Sequence, residues 1–151
     1  MKATFELHKI TRNNLLKAIK PLSSEQMNKI PVGFSNNVVW NIGHILTTQQ
    51  LLCYKLSALD LKIPADFVER YRKGSVPSQS IGTNEIDLLK EHLLKTSLLL
   101  QKNYKAGDFK NYSTYETSYG TTLNSIEEAV NFNNLHEALH LGYLMALKKA
   151  L

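Results

Sequence analysis

The 151-residue chain is long enough for one domain that buries roughly two-thirds of its unfolded surface without covalent staples, and a single cysteine excludes a disulfide framework. No apolar run approaches the ~20 residues that cross a bilayer, so no membrane partner is expected, and one thiol without a signal-like N-terminus is the pattern of a cytoplasmic protein. The net charge of +5 rests on 18 basic residues, of which only Arg12, Arg70 and Arg72 are arginine; scattered along the chain, they describe a solvated surface that sets nucleic acid aside and modestly favours anionic small substrates.

Residues 4–20 are predicted to form a first helix that Pro21 stops, because Phe5, His8, Arg12, Leu15, Leu16 and Ile19 share one helical face. His8 and Arg12 interrupt this apolar stripe and are read as boundary residues with buried stems, the alternative being that they reach the same interior site as the histidine pair of the last helix. A short helical turn is expected at Ser23–Lys29, and Pro31-Val32-Gly33 marks a loop. A second long helix is predicted from Ser35 or Asn36, either of which can cap it, to about Leu59. Its seam is Val38, Ile42, Ile45, Gln49, Leu52, Leu56 and Leu59, with Gln49 the one polar member. His44 lies about 120° from that seam by ideal rotation, beside Trp40 and Leu51. Periodicity leaves it between a packed flank and a functional interior position.

Residues 60–83 carry Pro64, Gly74, Pro77 and Gly82 and are expected to be a connection, with a short helix at Asp66–Lys73 closed by Gly74. A third long helix is predicted from Thr83 or Asn84 to Tyr104, with Ile86, Leu89, Leu93, Leu100 and Tyr104 inside and His92 read as exposed at the edge. Residues 105–123 form a second connection whose Phe109, Tyr112, Tyr115 and Tyr119 are read as cover for a bundle end. Ser125-Ile126-Glu127-Glu128 is a capping box that opens the last helix. Four long helices without a convincing strand make an all-α, antiparallel four-helix bundle the economical architecture, one domain over residues 1–151 with two long irregular connections. Its exposed aromatic loops and free helix face lead to a homodimer as the expected assembly.

Chemistry is concentrated in the last helix. His136 and His140 are four residues apart, so both imidazoles project from one face, one turn apart. At about 100° per residue, Ile126, Ala129, Phe132, Leu139, Tyr143, Leu144 and Leu147 fall near His136, which places both histidines on an apolar stripe. Imidazoles carried inward at this spacing are read as metal ligands in preference to packed core histidines. His136-Glu137-Ala138-Leu139-His140 also matches the H-E-x-x-H pattern of zinc metalloproteases, but the short stretch after His140 and the lack of a strand edge for an extended peptide argue against a protease. Glu137 is about 100° around the helix from His136 and is taken first as a flank residue and second as an acid or base. A third ligand must come from upstream, where His44, His8 and, less favourably, His92 are the candidates.

Asn36-Asn37-Val38-Val39-Trp40-Asn41-Ile42-Gly43-His44-Ile45, taken with His136-Glu137-Ala138-Leu139-His140-Leu141-Gly142, resembles the DinB-like (YfiT-like) metalloenzyme superfamily. The order of elements agrees over nearly the whole chain, including Arg72-Lys73-Gly74-Ser75-Val76-Pro77. The resemblance implies a four-helix bundle with a divalent metal held by one histidine of the second helix and two of the last, which are His44, His136 and His140. Many relatives continue the last motif with glycine and then glutamine, whereas Gly142 is followed here by Tyr143, a change expected to reshape the pocket. Arg12, Glu137 and Tyr143 are the candidate catalytic residues. Members with known activity are mostly thiol-dependent transferases and isomerases, so a small-molecule substrate and a low-molecular-weight thiol are the partners the resemblance implies.

Three neutral imidazoles leave a divalent transition metal with open positions, zinc or nickel being expected first and iron or manganese next. Such an ion lowers the pKa of a bound thiol or water. The expectation is therefore a thiol-dependent S-transferase or a related small-molecule transferase, in which an inward Arg12 would hold a substrate carboxylate. Hydrolysis stands second, since no obvious carboxylate base enters the pocket. The rival reading is a metal-stabilised, non-catalytic binding or dimerisation module with His8 closing the site as fourth ligand; a bundle without metal is the third.

Overall fold

Helix ends follow local chemistry in the computed structural model, which describes residues 1–151. Helix α1 (Lys2–Ile19) stops ahead of Pro21, and α2 (Ser24–Asn28) opens on a reciprocal Ser23–Gln26 capping box. Helix α3 (Val38–Gln49) is capped by Asn37, whose side chain accepts the Trp40 amide at 2.8 Å, just beyond the expected Ser35 or Asn36. It runs on through a π-helical turn at Gln50–Tyr54 and a 3₁₀ turn at Lys55–Ser57, ending where Ala58 turns left-handed at φ 56°. Helix α4 (Ala65–Tyr71) interrupts the first long connection, α5 (Thr83–Ala106) is closed by left-handed Gly107, and α6 (Ile126–Lys149) starts after Ser125. Glu128 completes the last cap by accepting the amide of Asn124, not that of Ser125, at 2.6 Å. The fold is all-α apart from one antiparallel hairpin, β1 (Tyr115–Glu116) with β2 (Thr122–Leu123), where no strand was expected.

Helix direction can be read from the two apolar clusters of the core. Phe5, Tyr54, Leu100 and Ile126 share one, and Ile19, Val38, Ile86 and Leu144 share the other. Hence α1 and α6 run one way, and α3 and α5 run the other. The four helices form a bundle that is antiparallel across α1/α5 and α3/α6 and parallel across α1/α6 and α3/α5. The parallel α3/α5 pair requires residues 58–82 to return along the bundle, with α4 resting on α3 on the way. No helix is long and apolar enough to cross a membrane.

A polar layer divides the two clusters. Its centre is Glu137, fully buried, whose carboxylate accepts Arg12 Nε and Nη2 at 2.6 Å each, Asn133 Nδ2 at 2.7 Å and His8 Nε2 at 3.0 Å. Arg12 Nη1 donates to the Leu93 carbonyl at 3.0 Å and the Thr96 hydroxyl at 3.2 Å on α5. His8 and Arg12 are thus interior residues, which corrects the boundary reading, and Glu137 is a core residue, which corrects its reading as a flank. The reason is that α6 is enclosed by both α1 and α3, so the side of α6 carrying Glu137 faces inward while Leu135, Leu139 and Met145 face solvent. His92 is also corrected: it is only 7% exposed, because α4 folds over that edge of α5 and sets Phe67 6.1 Å from the imidazole. Cys53 is fully buried, as a small hydrophobe would be, and burial pushes its thiol pKa up.

Burial alone would raise the Glu137 carboxyl, but Arg12 and then His8 outweigh it and hold the group far below the usual carboxylate range. Glu137→Gln leaves the Arg12 guanidinium buried without a counter-charge, and the expected loss is about 3–5 kcal/mol at neutral pH. Because the folded pKa is depressed, this stabilisation is complete above the unfolded value of about 4.3 and drains away as pH falls below it. Urea unfolding at pH 7 and pH 3.5 checks this: the gap between parent and variant is expected to narrow on acidification.

Candidate metal centre

Three histidines from two helices meet beside the polar layer. Gly43 makes room for the Tyr71 ring, since a Cβ at that position would stand inside it, and α4 can therefore close on α3. Through this contact the Tyr71 carbonyl accepts His44 Nδ1–H at 2.7 Å. That bond fixes the tautomer and leaves Nε2 unprotonated, an acceptor with the Thr48 hydroxyl 3.3 Å away. Trp40 stacks on the same imidazole at 4.7 Å and 8°, its indole N–H donating to Ser75 at 3.0 Å. His140 is oriented the same way. Asn41 donates through its amide nitrogen to Asn36 Oδ1 and the Asn37 carbonyl, so its oxygen faces His140 Nδ1, which donates to it at 2.8 Å.

His136 Nε2 lies 3.3 Å from His44 Nε2, and one ring nitrogen from each of the three residues lies within 4.8 Å of the others. Two imidazole nitrogens on one tetrahedral zinc, each about 2.0–2.1 Å from the ion, stand about 3.3–3.4 Å apart. The His44–His136 spacing fits that geometry, and the buried Nδ1 of His136 has no protein partner. Burial, reinforced by the neighbouring imidazoles, lowers His136 to about 4 and His140 to about 3, and burial also lowers His44. All three are neutral at pH 7, the state a metal ligand requires. The residues present fit a divalent ion.

Of the other upstream candidates, His8 is held between Glu137 and Ser97, and His92 lies against Phe67. Arg12 and Glu137 engage each other within the core. Tyr143 is half-buried, edge-on to Phe34 at 5.4 Å, and borders a shallow groove on the His140 side. His44 and His136 instead open into a cleft of about 310 Å³, walled by Leu51, Leu52 and Leu56 and roofed by the β1–β2 hairpin with Tyr115 and Tyr119. Sequence reasoning missed the orienting roles of Asn41 and Tyr71, although an asparagine one turn before His44 was a usable signal.

Gly43→Ala drives the Tyr71 ring away from α3 and withdraws the carbonyl that orients His44. The expected result is a loss of about 1–3 kcal/mol in stability and of about 10–100-fold in metal affinity, read by thermal melting and by chelator competition.

No curated protein sequence matches the chain. The family model of the DinB superfamily matches residues 7–144, a span that includes most of each bundle helix and all three converging histidines. With that match over most of its length, the chain belongs to the DinB superfamily.

Proposed function

We propose that this protein is a divalent-metal-dependent enzyme that transfers a low-molecular-weight thiol to an electrophilic small molecule. The observation that carries the reading is the convergence of three neutral imidazoles, two of them opening into a cleft. A closed structural site needs a fourth protein ligand; His8, the residue considered for that place, is committed to Glu137 and Ser97. An ion bound there, with zinc or nickel proposed, would supply Lewis acidity that lowers the pKa of a thiol brought to it.

The chain's own residues account for the rest. Tyr71 and Asn41 hold two imidazoles in the ligand tautomer, and Leu51, Leu52, Leu56 and Phe132 give the cleft apolar walls. The Thr48 hydroxyl lies 3.3 Å from His44 Nε2 and lines the cleft beside it. Arg12 is committed to Glu137, Leu93 and Thr96 and does not border the cleft, so it is not assigned to the substrate. Glu137, neutralised by Arg12, is no general base. Water attack is favoured less than thiolate transfer, which needs no base once the thiol has ionised.

Elemental mass spectrometry of tag-free protein, beside a His44→Ala variant, tests the centre: about one equivalent of transition metal is expected in the parent and little in the variant. Cysteine and an aryl halide then test transfer, with thioether formation expected only in the metal-loaded parent. Absence of metal from both samples after reconstitution would refute the reading.

A further inference from the structure

We infer that the cleft beside the histidines is an organic-anion site, in which apolar walls take the hydrocarbon body of a carboxylate-bearing ligand and Lys55 and Lys73 take its carboxylate. This deepens the proposed function by naming the class of acceptor and rests on it to that extent. The lining contains no acidic residue. Lys55 comes from the 3₁₀ turn that continues α3, and Lys73 from the turn after α4, so two separate elements bring positive charge to one opening. Neither lysine is ion-paired. The neighbouring Arg70 and Arg72, by contrast, each reach a carboxylate, as do Lys90 and Lys95 on α5.

Lys73 lines the cleft together with His44 and His136, so its charge belongs to the same cavity as the histidines. The same lining holds an aromatic pair, Tyr119 edge-on to Phe132 at 5.5 Å and 85°. Aromatic rings and leucines gain from burying a hydrocarbon chain or ring, and two unpaired ammonium groups repel a cation and attract an anion. Thr48, Thr117 and Ser118 add hydroxyl donors along the same lining. The ligand these groups describe is amphipathic, with an aryl or alkyl body and a terminal carboxylate.

Calorimetric titration of chelator-treated protein at low salt compares 4-phenylbutyrate, 4-phenylbutanol and 4-phenylbutylamine. Removing metal prevents the carboxylate from binding as a metal ligand. The carboxylate is expected to bind about tenfold more tightly than the alcohol, a difference of about 1.4 kcal/mol, and the amine to bind most weakly. Lys55→Gln with Lys73→Gln is expected to abolish that preference while leaving the alcohol unchanged. Lys17→Gln with Lys20→Gln, an equal change of net charge at the exposed C-terminal end of α1, is expected to retain it. Equal affinities, preference for the amine, no binding of any probe, a preference that survives in the cleft variant, or one lost in the α1 variant would each overturn the inference. Thiol transfer to neutral acceptors without carboxylate preference would discard this inference and keep the proposed function; carboxylate preference without transfer would do the reverse.

Discussion

A full positive and a full negative charge sit at the centre of a 151-residue bundle, and the arrangement of the polar layer follows from keeping them paired. Isolated ions there would be untenable, so Glu137 receives four donors and Arg12 divides its donors between Glu137 and α5. The pair joins α1, α5 and α6 at one level and fixes the rotation of α6 about its axis. Since His136 and His140 flank Glu137 in sequence, anchoring the carboxylate on one side turns the two imidazoles toward α3 on the other. The buried ion pair and the histidine cluster are two faces of one constraint.

Orientation on the α3 side comes from hydrogen bonds that reach across elements. His44 is set by a carbonyl at the end of α4, and His140 by an amide that α3 itself holds in place. Both leave Nε2 unprotonated, so the tautomers of two imidazoles are determined before any ion is considered. The wall of the cleft has a different origin, since the π-helical turn at Gln50–Tyr54 carries Leu51 and Leu52 into its lining. A straight continuation of α3 would present these leucines at another angle.

The sequence was informative wherever one helix face sufficed. The four long helices, the Ser125 cap and the His136/His140 pair are visible in spacing alone, whereas the cap of α3 is Asn37 and not Ser35 or Asn36, and the His44 assignment needed the family resemblance. Glu137 was misread because a single stripe was assumed for α6, whereas that helix is enclosed on two sides and exposes Leu135 and Leu139 instead. The signal was present in α1: Arg12 on an apolar stripe demands a carboxylate, and Glu137 stands at the middle of the last helix. His92 and the hairpin were not legible, because their placement depends on how long connections fold back over the bundle. Local pattern carries no record of such docking.

The separation of the converging groups along the chain has a consequence for the order in which the molecule can be made. His44 and His136 are 92 residues apart, and Arg12 and Glu137 are 125 apart. A nascent chain that has completed α1, α3 and α5 has Arg12 without its carboxylate and only one of the three converging histidines. Its first three helices therefore cannot dry their shared interior, and the last helix delivers the counter-charge and two of the imidazoles together. Closure of the core and assembly of the site become one late event in biosynthesis.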